Sequence, residues 1–222
     1  MQPEGMDLMS DPTIMTITAG EHPHIDEYWI RENHERNQKS AQRVPRRYQD
    51  AVATVPELRA WATILISRAG VTSTGVIPDG PSVLMLGRTG TGKTYQAYGA
   101  IRALLASGAG FSWELVTAPD LYARMRPRHG IDSESGFVSY ARSKVLVVDD
   151  LGAAKNSEWI EEVNYRLINY RYDHELPTLF TSNVPPKDLT VALGDRVASR
   201  LIEMCERVSL KGDDRRRTQG DQ

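Results

Sequence analysis

Gly87-Arg88-Thr89-Gly90-Thr91-Gly92-Lys93-Thr94 decides how the rest of the chain is read. The octet fits G-x-x-x-x-G-K-[ST] and sits between an apolar run, Val83-Leu84-Met85-Leu86, and a helix-forming stretch, the context that pattern requires. A backbone that wraps closely around phosphates must present several N–H donors at once. Gly87, Gly90 and Gly92 tolerate the dihedrals this demands. A helix opening at Lys93 aims the positive end of its dipole at the anion. Lys93 brings a mobile point charge for β- and γ-phosphate oxygens, and Thr94 a hydroxyl ligand for Mg²⁺. Gly87, Arg88, Thr89, Gly90, Thr91, Gly92, Lys93, Thr94 and the following Tyr95 are therefore expected to form a cradle for ATP with Mg²⁺.

Outward from the octet, apolar runs alternate with helical periodicity. Strands are expected at 82–86, 112–117, 144–149, 178–182 and 207–210. Helices are expected at 93–107, 120–125, 134–142, 158–172, 188–193 and 196–204. Strands separated by helix-length segments imply parallel pairing with right-handed crossovers, an α/β sheet flanked by helices.

Three further stretches carry chemistry. Val145-Leu146-Val147-Val148-Asp149-Asp150 is a buried-strand pattern ending in two carboxylates, at the edge where ligands gather in open parallel sheets. Beside the octet, Asp149 is expected to hold Mg²⁺ by way of water and Asp150 to orient or deprotonate an attacking water; alone, the pair would read as a strand-to-loop boundary. Glutamate is commoner in the second role, so the shorter Asp150 points to slow turnover. Thr178-Leu179-Phe180-Thr181-Ser182-Asn183 is a second apolar strand with a polar end. Asn183 both donates and accepts, which suits a γ-phosphate sensor as well as a turn residue. In Gly194-Asp195-Arg196-Val197-Ala198-Ser199-Arg200, Asp195 suits a helix N-cap, and Arg196 and Arg200 share one helix face. That pair fits either a solvated helix or guanidiniums that enter a neighbouring subunit's site.

Before the octet the chain changes character. Residues 1–24 lack periodicity, and His22 and His24 have no carboxylate or cysteine at metal-site spacing. A helix is expected over 25–47, then a break at Val44-Pro45. From Arg31 this stretch carries six basic residues against Glu32 and Glu35, which fits a solvated face or an arm for nucleic acid or an acidic partner. A second helix is expected over 55–69. The 222 residues carry a net charge of -2 with 40% hydrophobic and 25% charged residues, an ordinary globular composition. The single cysteine, Cys205, excludes a disulfide framework or a cysteine zinc site within one chain and reads as a buried thiol. No apolar run approaches the roughly 20 residues a membrane span needs, and a cytoplasmic location is expected. The boundaries are an N-terminal extension at 1–54, an ATPase domain at 55–212 and a polar tail at 213–222.

Taken together, VPRRYQDA, GRTGTGKT, VLVVDDLGAAK, EWIEEVNYRLINYRY, PTLFTSNVPPKDL and LGDRVASRL make residues 44–216 resemble the DnaC/DnaI-like replicative helicase loaders and the related IstB transposition ATPases, a branch of the AAA+ superfamily. The resemblance implies an AAA+/ASCE P-loop fold with a parallel five-stranded sheet and a short helical N-terminal extension. It makes Asn183 the sensor, Arg200 the trans-acting finger and Arg196 a second candidate. It places a single-stranded-DNA-binding insertion at 120–143, where Tyr122, Arg124, Arg126, Arg128 and Tyr140 would form a basic, aromatic surface. The tail has Gly212-Asp213-Asp214-Arg215 without the family's tyrosine, which leaves a second sensor role for Arg215 open. The implied protein is an ATPase that oligomerises with ATP, is stimulated by oligomerisation or DNA, and loads a hexameric replicative helicase onto single-stranded DNA. The rival readings are an IstB-like regulator of a transposase on duplex DNA and a nucleotide-dependent scaffold that does not hydrolyse ATP.

Overall fold

The computed structural model describes residues 15–126 and 132–212. These group into two units, one drawn from Met1–Gly80 and Tyr95–Phe111, the other from Pro81–Thr94 and Ser112–Gln222.

The first unit contains α1 (Glu27–Ala41), α2 (Pro56–Gly70) and α3 (Lys93–Ala106) from Tyr95 onward. Asp26 caps α1 by accepting from the Tyr28 amide at 2.7 Å. The helix is shorter than the expected 25–47. Because Pro45 cannot continue the ladder, the chain winds down through the bonds Gln42 N–H to Lys39 O, Arg43 N–H to Ser40 O and Val44 N–H to Ala41 O. Arg46 and Arg47 then lie in a separate 3-10 turn, Arg46–Tyr48. The buried positions of α1 are polar: Asn37 donates to the carbonyls of Leu105 and Ala109 at 3.2 and 2.8 Å, and Asn33 to that of Thr74 at 2.9 Å. α2 instead buries Leu58, Trp61, Ala62, Leu65 and Ile66, the face its periodicity implies. Residues 48–55 run along α3. Tyr48 stacks on Tyr98 at 4.4 Å, Gln96 accepts from the amides of Thr54 and Val55, and a Cβ on Gly99 would lie 2.3 Å from the Ala53 nitrogen.

The second unit holds a sheet of β1 (Ser82–Gly87), β2 (Trp113–Thr117), β3 (Val145–Asp149), β4 (Thr178–Ser182) and β5 (Cys205–Leu210). Every pairing is parallel and the order is β2-β3-β4-β1-β5. Helices α4 (Ala118–Met125), α5 (Ser133–Arg142), α6 (Glu158–Asp173), α7 (Leu189–Leu193) and α8 (Asp195–Met204) flank it. β3 is buried at every position, as a strand covered on both faces must be, which is why it reads as a continuous apolar run. β5 begins two residues earlier than expected. α8 passes into it without a loop, so Cys205 already pairs with Ser82. Cys205 is buried, and burial pushes its thiol pKa up, which makes it a core residue rather than a nucleophile.

The unit's core joins Leu84, Leu146, Val148 and Phe180 of the strands to Leu121, Phe137, Leu167, Ile168, Val197 and Leu201 of the helices. A charged group crosses that apolar frame. Arg171 of α6 is fully buried, and its guanidinium donates to the Thr178 hydroxyl and to the carbonyls of Tyr140, Ala141, Ser143 and Pro177. A single planar fork thereby ties the end of α5 and the start of β4 to α6. Burial pulls its pKa down to about 9, so it stays charged at neutral pH. Among the described residues no helix is long and apolar enough to cross a membrane. Arg171→Met would strand five buried acceptors. Urea denaturation is expected to show a loss of about 3 kcal/mol or more, and a loss below about 1 kcal/mol would show the fork to be dispensable.

Candidate functional site

The sheet order places β1, β4 and β3 side by side, and the chain leaves their carboxyl ends as the glycine-rich octet, Asn183 and Asp149–Asp150 respectively. Register aligns them. Leu86 pairs with Ser182 and Val148 with Phe180, so residues far apart in sequence reach one edge together.

The octet has the backbone its glycines imply: Gly90 and Gly92 have φ of 86° and 93°, in the left-handed region that favours glycine. A Cβ on Gly87 would lie 2.8 Å from the Leu210 carbonyl oxygen. The Thr91 hydroxyl donates to Arg88 O at 2.9 Å and closes the loop on itself. Lys93 is only 5% exposed, and its Nζ donates to Gly87 O at 2.8 Å, to Arg88 O at 3.0 Å and to Asn183 Oδ1 at 2.5 Å. Its neighbour Thr94 donates to Asp149 Oδ2 at 2.8 Å. Tyr95, the last residue expected in the cradle, donates its hydroxyl to Asp50 O at 2.9 Å.

Asp149 is buried, and its second carboxylate oxygen accepts from the Thr181 hydroxyl at 2.5 Å. Burial pushes its pKa up, and the neighbouring Asp150 adds to that. The hydroxyls of Thr181 and Thr94 and the charge of Lys93 pull the other way. A hydroxyl and a buried carboxylate in contact are hard oxygen donors that fit Mg²⁺, an ion held by few protein ligands together with phosphates. Among the described residues no cluster of three or more His, Cys, Asp or Glu could hold a metal by itself. His24 instead bonds Gly70 O at 2.6 Å.

Asp150 follows with φ of 56°, a left-handed conformation that costs a non-glycine residue about 1 kcal/mol. Its amide donates to the Thr181 hydroxyl at 3.0 Å, Leu151 N–H to Thr181 O at 2.8 Å, and the Ser182 hydroxyl to Leu151 O at 2.6 Å. Its carboxylate, turned outward by that backbone, accepts from Asn183 Nδ2 at 3.0 Å. Lys93, Asn183 and Asp150 thus form one chain of hydrogen bonds, and Thr94, Asp149 and Thr181 form a second beside it. Five of the expected site residues, Lys93, Thr94, Asp149, Asp150 and Asn183, are brought together. Thr181, which the sequence pattern does not single out, joins them; its one signal in the sequence is a hydroxyl residue placed inside a buried strand that also carries Thr178 and Ser182.

Arg196 and Arg200 lie elsewhere, on α8 against α6. The Arg196 guanidinium lies 5.9 Å from the Tyr165 ring centroid and that of Arg200 4.4 Å from Tyr172. Arg200 also pairs with Glu203 at 3.1 Å, and Glu203's other oxygen accepts from the Tyr172 hydroxyl. Asp195 is not the cap expected of it. The N-cap is Gly194, whose φ of 87° lies in the left-handed region that favours glycine, and Asp195 becomes the first helical residue.

The aromatic DNA surface also needs correction. Tyr122 and Tyr140 are buried, Tyr122 bonded to Asn164 at 2.9 Å and Tyr140 accepting from Arg124, so neither ring is free to stack on a base. Arg126 lies over Trp159. Arg128 and Arg215 fall outside the described residues.

Comparison with known proteins agrees with this geometry. The family model described as IstB-like ATP binding protein matches residues 68–222. The replicative helicase loader DnaC of Escherichia coli K12 is 25% identical over 123 residues, covering 54% of this chain and 49% of that protein. The replicative helicase loader DnaI of Bacillus subtilis 168 is 25% identical over 153 residues, 62% and 48% of the two chains. The chain thus spans about half the length of these curated relatives. A crystal structure of the DnaC helicase loader superposes with a TM-score of 0.58 at 26% identity, over 75% of this chain and all of that one.

Because burial already disfavours its charge, Asp149→Asn is expected to leave the thermal midpoint of the nucleotide-free protein unchanged or higher. It is also expected to weaken ATP binding about 10–100-fold in Mg²⁺ but not in EDTA. Equal loss in both buffers, by calorimetric titration, would separate Asp149 from the metal.

Proposed function

The chain belongs to the IstB-like ATP binding protein family, with an AAA+ P-loop fold, and on that premise we propose that it is an ATP-hydrolysing switch that oligomerises and loads a replicative helicase onto single-stranded DNA. The observation that carries this is the contact chain Lys93–Asn183–Asp150, which joins the phosphate cradle to the residue that would handle water.

In this reading the N–H groups of the octet and Lys93 take the β- and γ-phosphates, and Lys93 exchanges the carbonyls of Gly87 and Arg88 for phosphate oxygens. Thr94 and Asp149 would hold Mg²⁺, which when bound would supply positive charge against that developing on the phosphates. Asp150 orients the attacking water and accepts its proton, while the Asn183 amide, shared between Asp150 and Lys93, reports whether the γ-phosphate is in place. Arg200 supplies the charge that a single chain lacks, held ready over Tyr172 and entering the site of a neighbouring subunit; Arg196 is the second candidate. With both tyrosines of 120–143 buried, single-stranded DNA would be held there by arginines and backbone rather than by stacking on those rings.

The loader reading draws on the two helicase-loader relatives. A second reading, an ATPase that regulates a transposase on duplex DNA, is favoured by the family match itself. Affinity capture from native extract in ATP and Mg²⁺ separates them by whether a replicative helicase or a transposase is retained.

The shared site is tested by mixing variants. Lys93→Ala and Arg200→Ala are each expected to reduce phosphate release about 10³-fold, and a mixture of the two to regain activity. No recovery, with both variants folded and assembling, would make the site self-contained. Absence of phosphate release by the wild type, with and without single-stranded DNA, would favour the non-hydrolysing scaffold.

A further inference from the structure

The hydroxyl of Thr181 touches both acidic residues that end β3. It donates to Asp149 Oδ1 at 2.5 Å and accepts from the Asp150 amide at 3.0 Å. Those two contacts fix its proton: the amide can only donate, so it takes a hydroxyl lone pair, and the hydroxyl hydrogen goes to the carboxylate. Thr181 is fully buried at the centre of the sheet, one strand away from Asp149. Thr94 holds the other oxygen of the same carboxylate at 2.8 Å. The two hydroxyls have different prospects. That of Thr94 lies in the cradle and must turn its lone pair to a metal when one binds; that of Thr181 lies within the sheet and has no reason to move.

We propose that Thr181 is the positioning residue of the metal and water machinery: its one hydroxyl aims the Asp149 carboxylate at Mg²⁺ and pins the left-handed backbone that turns Asp150 toward Asn183. This rests on the ATPase reading of the same site. A buried threonine in a strand is ordinarily no more than a packing residue whose hydroxyl finds a backbone carbonyl. Thr178, three residues earlier, comes close to that, accepting from Arg171 and donating to Leu176 O at 3.0 Å. Thr181 differs in that both partners belong to the site and neither contact supports the helices around it. An outer hydrogen bond of this kind to a metal-holding carboxylate is usually worth 10- to 100-fold in metal affinity or rate. The strain at Asp150 gives the second contact its purpose, since a non-glycine residue stays at φ of 56° only where its surroundings hold it.

The test compares Thr181→Val, which keeps shape and removes the hydroxyl, with Thr181→Ser, which keeps the hydroxyl. Four quantities are measured: turnover, the Mg²⁺ concentration for half-maximal turnover, ATP affinity in EDTA and in Mg²⁺, and hydrogen exchange of the Asp150 amide in nucleotide-free protein. Thr181→Val is expected to raise the Mg²⁺ requirement and lower turnover by about 10- to 100-fold. It should leave affinity in EDTA unchanged and speed exchange at Asp150, while Thr181→Ser stays close to wild type on all four. Equal Mg²⁺ requirement, equal turnover and equal exchange in the valine variant would overturn the proposal. So would equal losses in EDTA and Mg²⁺, which mark a packing defect. If the valine variant does not fold, rapid Asp150 exchange in the wild type still overturns it. A wild type that binds ATP with Mg²⁺ but never releases phosphate would end the hydrolysis reading alone, because metal-dependent affinity and Asp150 exchange would still report on Thr181.

Discussion

A carboxylate at the end of a fully buried strand is the constraint from which the rest of the site follows. Asp149 can sit there only because hydroxyls from two other elements, Thr94 and Thr181, take its oxygens, and because Lys93 stands close enough to lower the cost of its charge. Burial that raises the pKa of an unmetallated carboxylate also makes it a strong partner for a divalent cation, since little water competes there. The same hydroxyl that receives Asp149 holds Asp150 in a strained backbone. The two acids at the end of β3 are therefore held by one hydroxyl of the neighbouring strand.

Topology makes this possible. In the order β2-β3-β4-β1-β5, β4 stands between the strand that leads to the phosphate loop and the strand that ends in the two acids. The glycine-rich loop after β1 and the acids that end β3 meet directly through Thr94 and Asp149 and again across the end of β4, where Thr181 and Asn183 stand. Arg171 keeps that strand in place from its other end, through the Thr178 hydroxyl and the Pro177 carbonyl. Its planar fork satisfies five buried acceptors at once and so specifies one arrangement of α5, α6 and β4.

Much of this was legible in the sequence because it depends on local pattern. The strands of the sheet are apolar runs, the octet declares its own backbone, and the acids at 149 and 150 stand where an open parallel sheet binds ligands. The misses have a common cause: they depend on which distant residues meet. Nothing near Thr181 in sequence shows that its hydroxyl faces Asp149. Tyr122 and Tyr140 look like exposed aromatics among arginines until α4, α5 and α6 close over them. Asp195 has the chemistry of a cap, but the chain enters α8 through position 194 at a φ of 87°, so glycine takes the cap and Asp195 the first helical turn. α1 ends before the expected 47 because its charge pattern continues past Pro45 while its hydrogen bonds do not.

In this reading ATP and Mg²⁺ must displace Lys93 from the carbonyls that it holds beside Asn183 and Asp150. A crystal structure with a non-hydrolysable ATP analogue and Mg²⁺ tests this most directly. Lys93 Nζ is expected to have left the Gly87 and Arg88 carbonyls for phosphate oxygens, with Mg²⁺ about 2.1 Å from the Thr94 hydroxyl oxygen and Asp149 joined to it through water. A nucleotide bound with Lys93 still on those carbonyls, or a metal bound away from Thr94 and Asp149, would contradict it.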